Sequence, residues 1–208
     1  MPPGAVAASV ARAARSADLV LVEGKRGLFD GADARGTHSS AQLAKALGAP
    51  CVLVVSAAKV TRTISALVLG CRTLDPQLQI AGVVLNRVAT GRQEGVIRRA
   101  LADDVGIPVL GAIPRLEDAL LPTRHLGLVC AAEHPAREAA IDALADAVGR
   151  HVDLDAVSVA AATASPPSVA ASLTVLTSTL CKTAPAAYVN RLTCRSLSSS
   201  KTNLPEPA

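Results

Sequence analysis

The sequence predicts an α/β fold, a mostly parallel open sheet with helices on both faces, and three observations point there. Short, near-continuous runs of Val, Leu and Ile recur through the first three quarters of the chain, as in strands buried on both faces. Segments with apolar residues three and four apart separate them. Half of the 208 residues are apolar, yet there is one Phe, one Tyr and no Trp, so the core is built from aliphatic side chains and Ala. Strand, helix, strand, helix at this spacing implies parallel strands joined by right-handed crossovers.

The elements follow in order. The start, MPPGAVAASVARAARSAD, is too poor in Leu for a signal peptide and reads as an Ala-rich helix. Leu19–Val22 is a short buried strand, followed by the Gly-rich loop EGKRGLFDGADARGTH. Ser39 or Ser40 caps a helix through Leu47, ended by Gly48 and Pro50. Cys51–Val55 is the second strand. Thr61 caps a helix that Gly70 is expected to stop. Ile80–Leu85 is the third strand, and Glu94–Val105 is a helix with Ile97 and Leu101 on one face. Val109–Ile113 is the fourth strand and Leu126–Val129 a candidate fifth. Pro135 suits the first turn of a last helix, lined by Ile141, Leu144 and Val148 and closed by Gly149. From Ser158 the chain turns to Ala, Ser, Thr and Pro, so residues 158–208 are expected to form a disordered tail behind a domain of residues 1–157. Within that tail, Ser172–Cys181 could form an isolated strand or helix without function.

Charge and cysteine content narrow the function classes. Residues 1–157 hold 17 Lys and Arg against 16 Asp and Glu, so the net charge of +4 comes mostly from the tail. No basic stripe with aromatic neighbours appears, and no nucleic-acid partner is expected. No apolar run approaches the roughly 20 residues of a membrane span, so no membrane partner is expected either. The five Cys form no C-x-x-C pair, which fits reduced thiols in a cytoplasmic protein better than disulfides or a zinc site.

Ligands of such sheets bind beyond the carboxyl ends of the strands. The first loop there carries Glu23, Gly24, Gly27 and Asp30. Its glycines allow close backbone approach to a phosphate, and its two carboxylates could hold Mg²⁺ directly or through water; a tight turn with solvated acids is an equal reading. The third strand ends in Asn86 and Arg87. An Asn amide suits an adenine edge, and a strand-end cap is the plainer alternative. In PTRHLGLV, Arg124 could pair with a phosphate or carboxylate, whereas His125 alone reads as structural. His38, His134 and His151 lack metal-ligand spacing. No G-x-x-x-x-G-K-[ST] occurs in the sequence.

Together these segments carry a resemblance. VEGKRGLFDG resembles the VEGVMGLFDG stretch of the cobyrinic and hydrogenobyrinic acid a,c-diamide synthases. SSAQLAKALGAPCVLVVSAAKVTRT, IAGVVLNRV, GIPVLGAIPRL and LPTRHLGLV are similar to further blocks of that family, in the same order, over about residues 1–157. The resemblance implies a P-loop-NTPase-like fold and an ATP- and Mg²⁺-dependent ligase. Such an enzyme phosphorylates two carboxylates of a corrin precursor, and ammonia from glutamine then displaces phosphate. By resemblance Glu23 is the Mg²⁺ ligand. Gly24 and Gly27 shape the cofactor loop, and Asp30 supports it. Asn86 and Arg87 face the nucleotide, and Arg124 and His125 lie near the reacting groups. The chain departs from the family at Lys25 and Arg26, Ser56 and Gln93. It is expected to be an incomplete synthetase domain without the P-loop strand–helix unit or a glutaminase domain, inactive alone, and prone to form a homo-oligomer through its incomplete sheet. A non-catalytic nucleotide- or partner-binding remnant and a MinD/ParA-like ATPase are the alternative readings.

Overall fold

The computed structural model describes residues 3–15, 17–24, 26–116, 137–164 and 172–179. Along the chain run α1 (Pro3–Ala14), β1 (Leu19–Gly24), α2 (Ser40–Ala46), β2 (Cys51–Ser56), α3 (Thr63–Leu74) and β3 (Ile80–Val88). They are followed by α4 (Gly91–Asp104), β4 (Val109–Pro114), α5 (Arg137–His151), α6 (Leu154–Ala162) and β5 (Ser172–Thr179). The five strands form one sheet in the order β1-β5-β2-β3-β4, and every pair is parallel.

Alternation along β2 shows how the sheet divides its two faces. Cys51, Leu53 and Val55 join one core with Val83 and Leu85 of β3, covered by α1, α2, α3 and α4. Val52 points the other way and packs with Val84, Leu110 and Val157 of α6. Burial on both faces is why these strands read as unbroken apolar runs. Along α5, Ile141, Leu144, Ala145 and Val148 form the expected inner face.

The helix ends show which local signals governed. Ser39 caps α2 by accepting the Gln42 N–H at 3.4 Å. Gly70 does not stop α3, which continues to Leu74. A mid-helix glycine costs only about 1 kcal/mol against Ala, and the buried Ile64, Val68 and Cys71 hold the helix on the sheet. Its C-cap is Asp75, which pairs with Lys45 at 2.5 Å. Gly149 likewise lies inside α5, which runs to His151.

Beyond residue 157 the structure departs from the expected disordered tail. The expected boundary falls inside α6, and β5 occupies a central place in the sheet, bonded to β1 on one side and β2 on the other. Ladder hydrogen bonds depend on the backbone, and Thr and Val favour strands, so a Ser/Thr-rich stretch lacking helical periodicity can still pair. Residues 165–171 and 180–208, the candidate strand Leu126–Val129 and Pro135 lie outside the described residues.

At the far side of the sheet, β4 is covered. The Asp153 N–H donates to the Leu110 carbonyl at 2.8 Å, and Gly111 bridges to Val152. A Cβ on Gly111 would lie 2.7 Å from the His151 carbonyl oxygen, so only glycine admits the α5–α6 link this close. No described helix is long and apolar enough to cross a membrane.

Candidate functional site

All strands being parallel, their carboxyl ends point the same way. Glu23 and Gly24 end β1, Ser56 ends β2, and Asn86 and Arg87 lie near the end of β3. Their relative heights follow from the register. Glu23 is level with Leu176, which is level with Val52, which is level with Gly82. Asn86 lies four residues further on. With about 3.3 Å per residue and three strand spacings of about 4.8 Å, Glu23 and Asn86 stand roughly 20 Å apart. Ser56 and Asn86, by contrast, are direct partners across β2 and β3. The structure therefore brings Ser56, Asn86 and Arg87 together and leaves Glu23 at a separate strand end.

The Asn86–Arg87 corner has unusual backbone. The β3–β4 register shifts between Leu85 and Val88, and Arg87 has φ 61°, in the left-handed region that non-glycine residues rarely adopt. Lys59, in the neighbouring loop after β2, has φ 59°. The two loops are tied together. The Ala57 N–H donates to the Asn86 carbonyl at 2.7 Å. Gln93 donates from Nε2 to the Ala57 and Val60 carbonyls at 2.6 and 2.7 Å, and its Oε1 accepts the Ala89 N–H at 2.9 Å. Thr90, the N-cap of α4, accepts the Gln93 N–H at 3.1 Å. One amide thus joins the ends of β2, β3 and the start of α4. In the sequence Gln93 stands out only as a departure from the family pattern that the chain resembles. The spacing Thr90-x-x-Gln93, a capping-box pattern, was the available signal.

The loop after β1 is organised by acids. Asp33 accepts the Arg35 and Thr37 N–H groups at 3.0 Å and the Thr37 hydroxyl at 2.7 Å. The Thr37 hydroxyl, and after it the Thr37 N–H, hold the Asp33 carboxyl below its usual range. Asp30 folds back on Gly27, where a Cβ would sit 2.5 Å from the Asp30 carboxylate oxygen, so a larger residue there would push the Asp30 side chain aside. Leu28 anchors the loop in the core at 1% exposure, and its carbonyl accepts the Ala41 N–H at 2.9 Å. Partial burial pushes the Glu23 carboxyl above its ordinary value.

Among the described residues no group of three or more His, Cys, Asp or Glu could hold a metal ion. Glu23 alone offers one hard oxygen donor. That suits Mg²⁺ only where phosphates and waters complete its octahedron. Arg124 and His125 lie outside the described residues.

A family model described as "AAA domain" matches residues 5–122. The hydrogenobyrinate a,c-diamide synthase of Brucella suis biovar 1 is 47% identical over 159 residues, covering 76% of this chain and 36% of that protein. The cobyrinate a,c-diamide synthase of Magnetococcus marinus is 44% identical over 153 residues, covering 74% and 33%. The hydrogenobyrinate a,c-diamide synthase of Mycobacterium bovis is 47% identical over 147 residues, covering 68% and 32%. The chain spans about a third of the length of the curated relatives it matches.

Proposed function

Because the chain belongs to the AAA-domain family that matches its residues 5–122, we propose that it carries part of the synthetase portion of an enzyme amidating the a and c carboxylates of cobyrinate or hydrogenobyrinate. The observation that carries this reading is the 47% identity to a hydrogenobyrinate a,c-diamide synthase over 159 residues. In the proposed reaction a substrate carboxylate oxygen takes the γ-phosphoryl group of ATP. Ammonia released from glutamine attacks the acyl carbon, the C–N bond forms, and the C–O bond breaks with loss of phosphate. Phosphorylation is needed because a carboxylate oxygen is a poor leaving group. Bound Mg²⁺ supplies charge neutralisation on the phosphates.

This chain's residues take the following roles in that reading. Asn86 meets the adenine edge, on a corner whose conformation Gln93 braces. Arg87 and the backbone of Gly24 and Gly27 face phosphate. Glu23 supplies one oxygen to Mg²⁺, and Asp30 holds the loop. Arg124 and His125 stand by the reacting carboxylate. The roughly 20 Å between Glu23 and Asn86 requires an elongated ligand.

A second reading, a nucleotide- or partner-binding unit without catalysis of its own, is favoured by one observation. The register keeps Glu23 roughly 20 Å from Asn86 rather than in one cluster. A chimera separates the two. Residues 5–122 replace the matched segment of the Brucella enzyme, and a,c-diamide formation is measured with ATP, Mg²⁺, glutamine and hydrogenobyrinate. The synthase reading expects activity, lost with Glu23→Ala. A folded chimera that binds ATP but forms no amide supports the second reading and overturns the first.

A further inference from the structure

The carboxyl edge of the sheet divides by charge. Over β1 the loop carries Glu23, Asp30 and Asp33. Over β2, β3 and β4 stand Lys59, Arg87 and Arg115, all exposed. The proposed function gives Arg87 to phosphate and leaves Lys59 and Arg115 without a task. Among the described residues neither of the two has an ion-pair partner. Glu94, in the first turn of α4, is bonded instead to Arg98, and Asp104 to Arg62.

Both cations stand on backbone that the fold holds firmly. Lys59 is the third residue of the turn Ala57–Val60, closed by the Val60 N–H donating to the Ala57 carbonyl at 3.4 Å. Gln93 donates to the carbonyls of both Ala57 and Val60, so one amide grips the turn on either side of Lys59. Lys59 itself takes φ 59°, a conformation that glycine adopts freely and lysine only at a cost. Glycine would fit the turn better, so what the lysine adds there is its charge. Arg115 directly follows β4, its N–H bonded to the Val88 carbonyl at 3.0 Å, beside Arg87. The ends of β2 and β4 lie two strand spacings apart, roughly 10 Å, with the Asn86–Arg87 corner between them.

Residues 57–62 and 115–116 contain no glycine, so neither loop brings bare backbone up to an anion as a phosphate cradle does. Each offers one side-chain charge instead, the pattern for two separate carboxylates of one ligand. A carboxylate brought up to nucleotide phosphates is repelled by them, and free cations on both sides of the phosphate position offset that repulsion. We propose that Lys59 and Arg115 hold two non-reacting carboxylates of a polycarboxylate substrate, one on each side of the nucleotide corner. They thereby select a substrate whose outer carboxylates are still free. This rests on the amidation reading, which supplies the polycarboxylate class.

The test is equilibrium dialysis of hydrogenobyrinate against the 208-residue chain, without ATP or glutamine, with urea denaturation checking each variant. Binding that weakens with added salt is expected. Lys59→Gly should weaken it about tenfold. The same variant should resist urea as well as the native chain or better, because glycine suits the left-handed turn. A lysine with a merely structural role would show the reverse. Lys59→Arg keeps the charge and should keep most of the binding. Arg115→Ala should weaken binding about tenfold as well, whereas Arg150→Ala, exposed on α5, should leave it unchanged. The fully esterified probe should not bind. Equal loss with Arg150→Ala, binding indifferent to Lys59→Gly and Arg115→Ala, or displacement of the probe by ATP overturns the proposal. A native chain that binds no probe, while the chimera forms amide, overturns the carboxylate site and leaves the enzymatic reading standing. Charge-dependent binding beside a chimera that forms no amide does the opposite.

Discussion

Strands β1 and β2 are written in nearly the same residues, LVLVEG and CVLVVS, yet β2 buries four of its six side chains while β1 buries only Gly24. The difference lies in their neighbours. β2 has strands on both sides and helices over both faces, and β3 beside it buries five of its nine residues. β1 stands at the sheet edge next to β5, under an α1 rich in Ala. At the opposite edge β4 is protected by the strapped α5–α6 link. An apolar run specifies a strand. How much that strand contributes depends on what the rest of the chain lays over it.

The sharpest way to break this comparison is to remove residues 172–179. Both β1 and β2 then lose a ladder, but β2 keeps β3, whereas β5 is the sole strand partner of β1 among the described residues. Hydrogen exchange followed by mass spectrometry should show Leu19–Gly24 unprotected while Val83–Leu85 stay protected. Cys51 adds a second signal. Burial raises its thiol pKa to about 12, so the native chain should leave it unlabelled by a thiol reagent at neutral pH. Cys51 lies beside Val175, so the deletion should make it reactive. Full protection of β1 after the deletion would show that β5 does not hold it.

A smaller effect sharpens the same contrast. Leu53→Ala removes a fully buried side chain and should cost about 2–5 kcal/mol. Leu21→Ala, half-buried in β1, should cost about 1 kcal/mol, a fraction of that range. Urea denaturation measures both, and equal losses would mean that β1 is packed as firmly as β2.

Smaller again is Gln93→Leu, which leaves the Ala57 and Val60 carbonyls and the Ala89 N–H without their side-chain partner. About 1–3 kcal/mol should be lost. Exchange should rise locally in the loops after β2 and β3 and not in β1. A uniform loss would mean that the brace is not local.

Much of the α/β fold was readable because β2, β3 and β4 are continuous aliphatic runs and α4 carries Ile97 and Leu101 at helical spacing. Two features were misread for different reasons. Gly70 misled because a local stop signal is weaker than the buried stripe on which α3 lies. β5 was read only as an isolated strand or helix, because its partners are more than a hundred residues away and its Ser/Thr-rich text has no face to read. At the candidate site, residue types were visible and distances were not. The stagger that separates Glu23 from Asn86 is a property of the β1-β5-β2-β3 register, and the left-handed turn at Arg87 belongs to a bulge. Neither leaves a mark in a single sequence.

The central place of β5 also imposes an order in time. A ribosome making this chain releases β1, β2, β3 and β4 long before residue 179. β2, β3 and β4 can join as they emerge, but the edge of β2 that β5 fills stays open for about 120 residues after Ser56. At roughly 5–20 residues per second that is on the order of ten seconds. During that interval one ladder of β2 is bare and β1 lacks its β5 partner, and any extended segment of another nascent chain is a competitor for either.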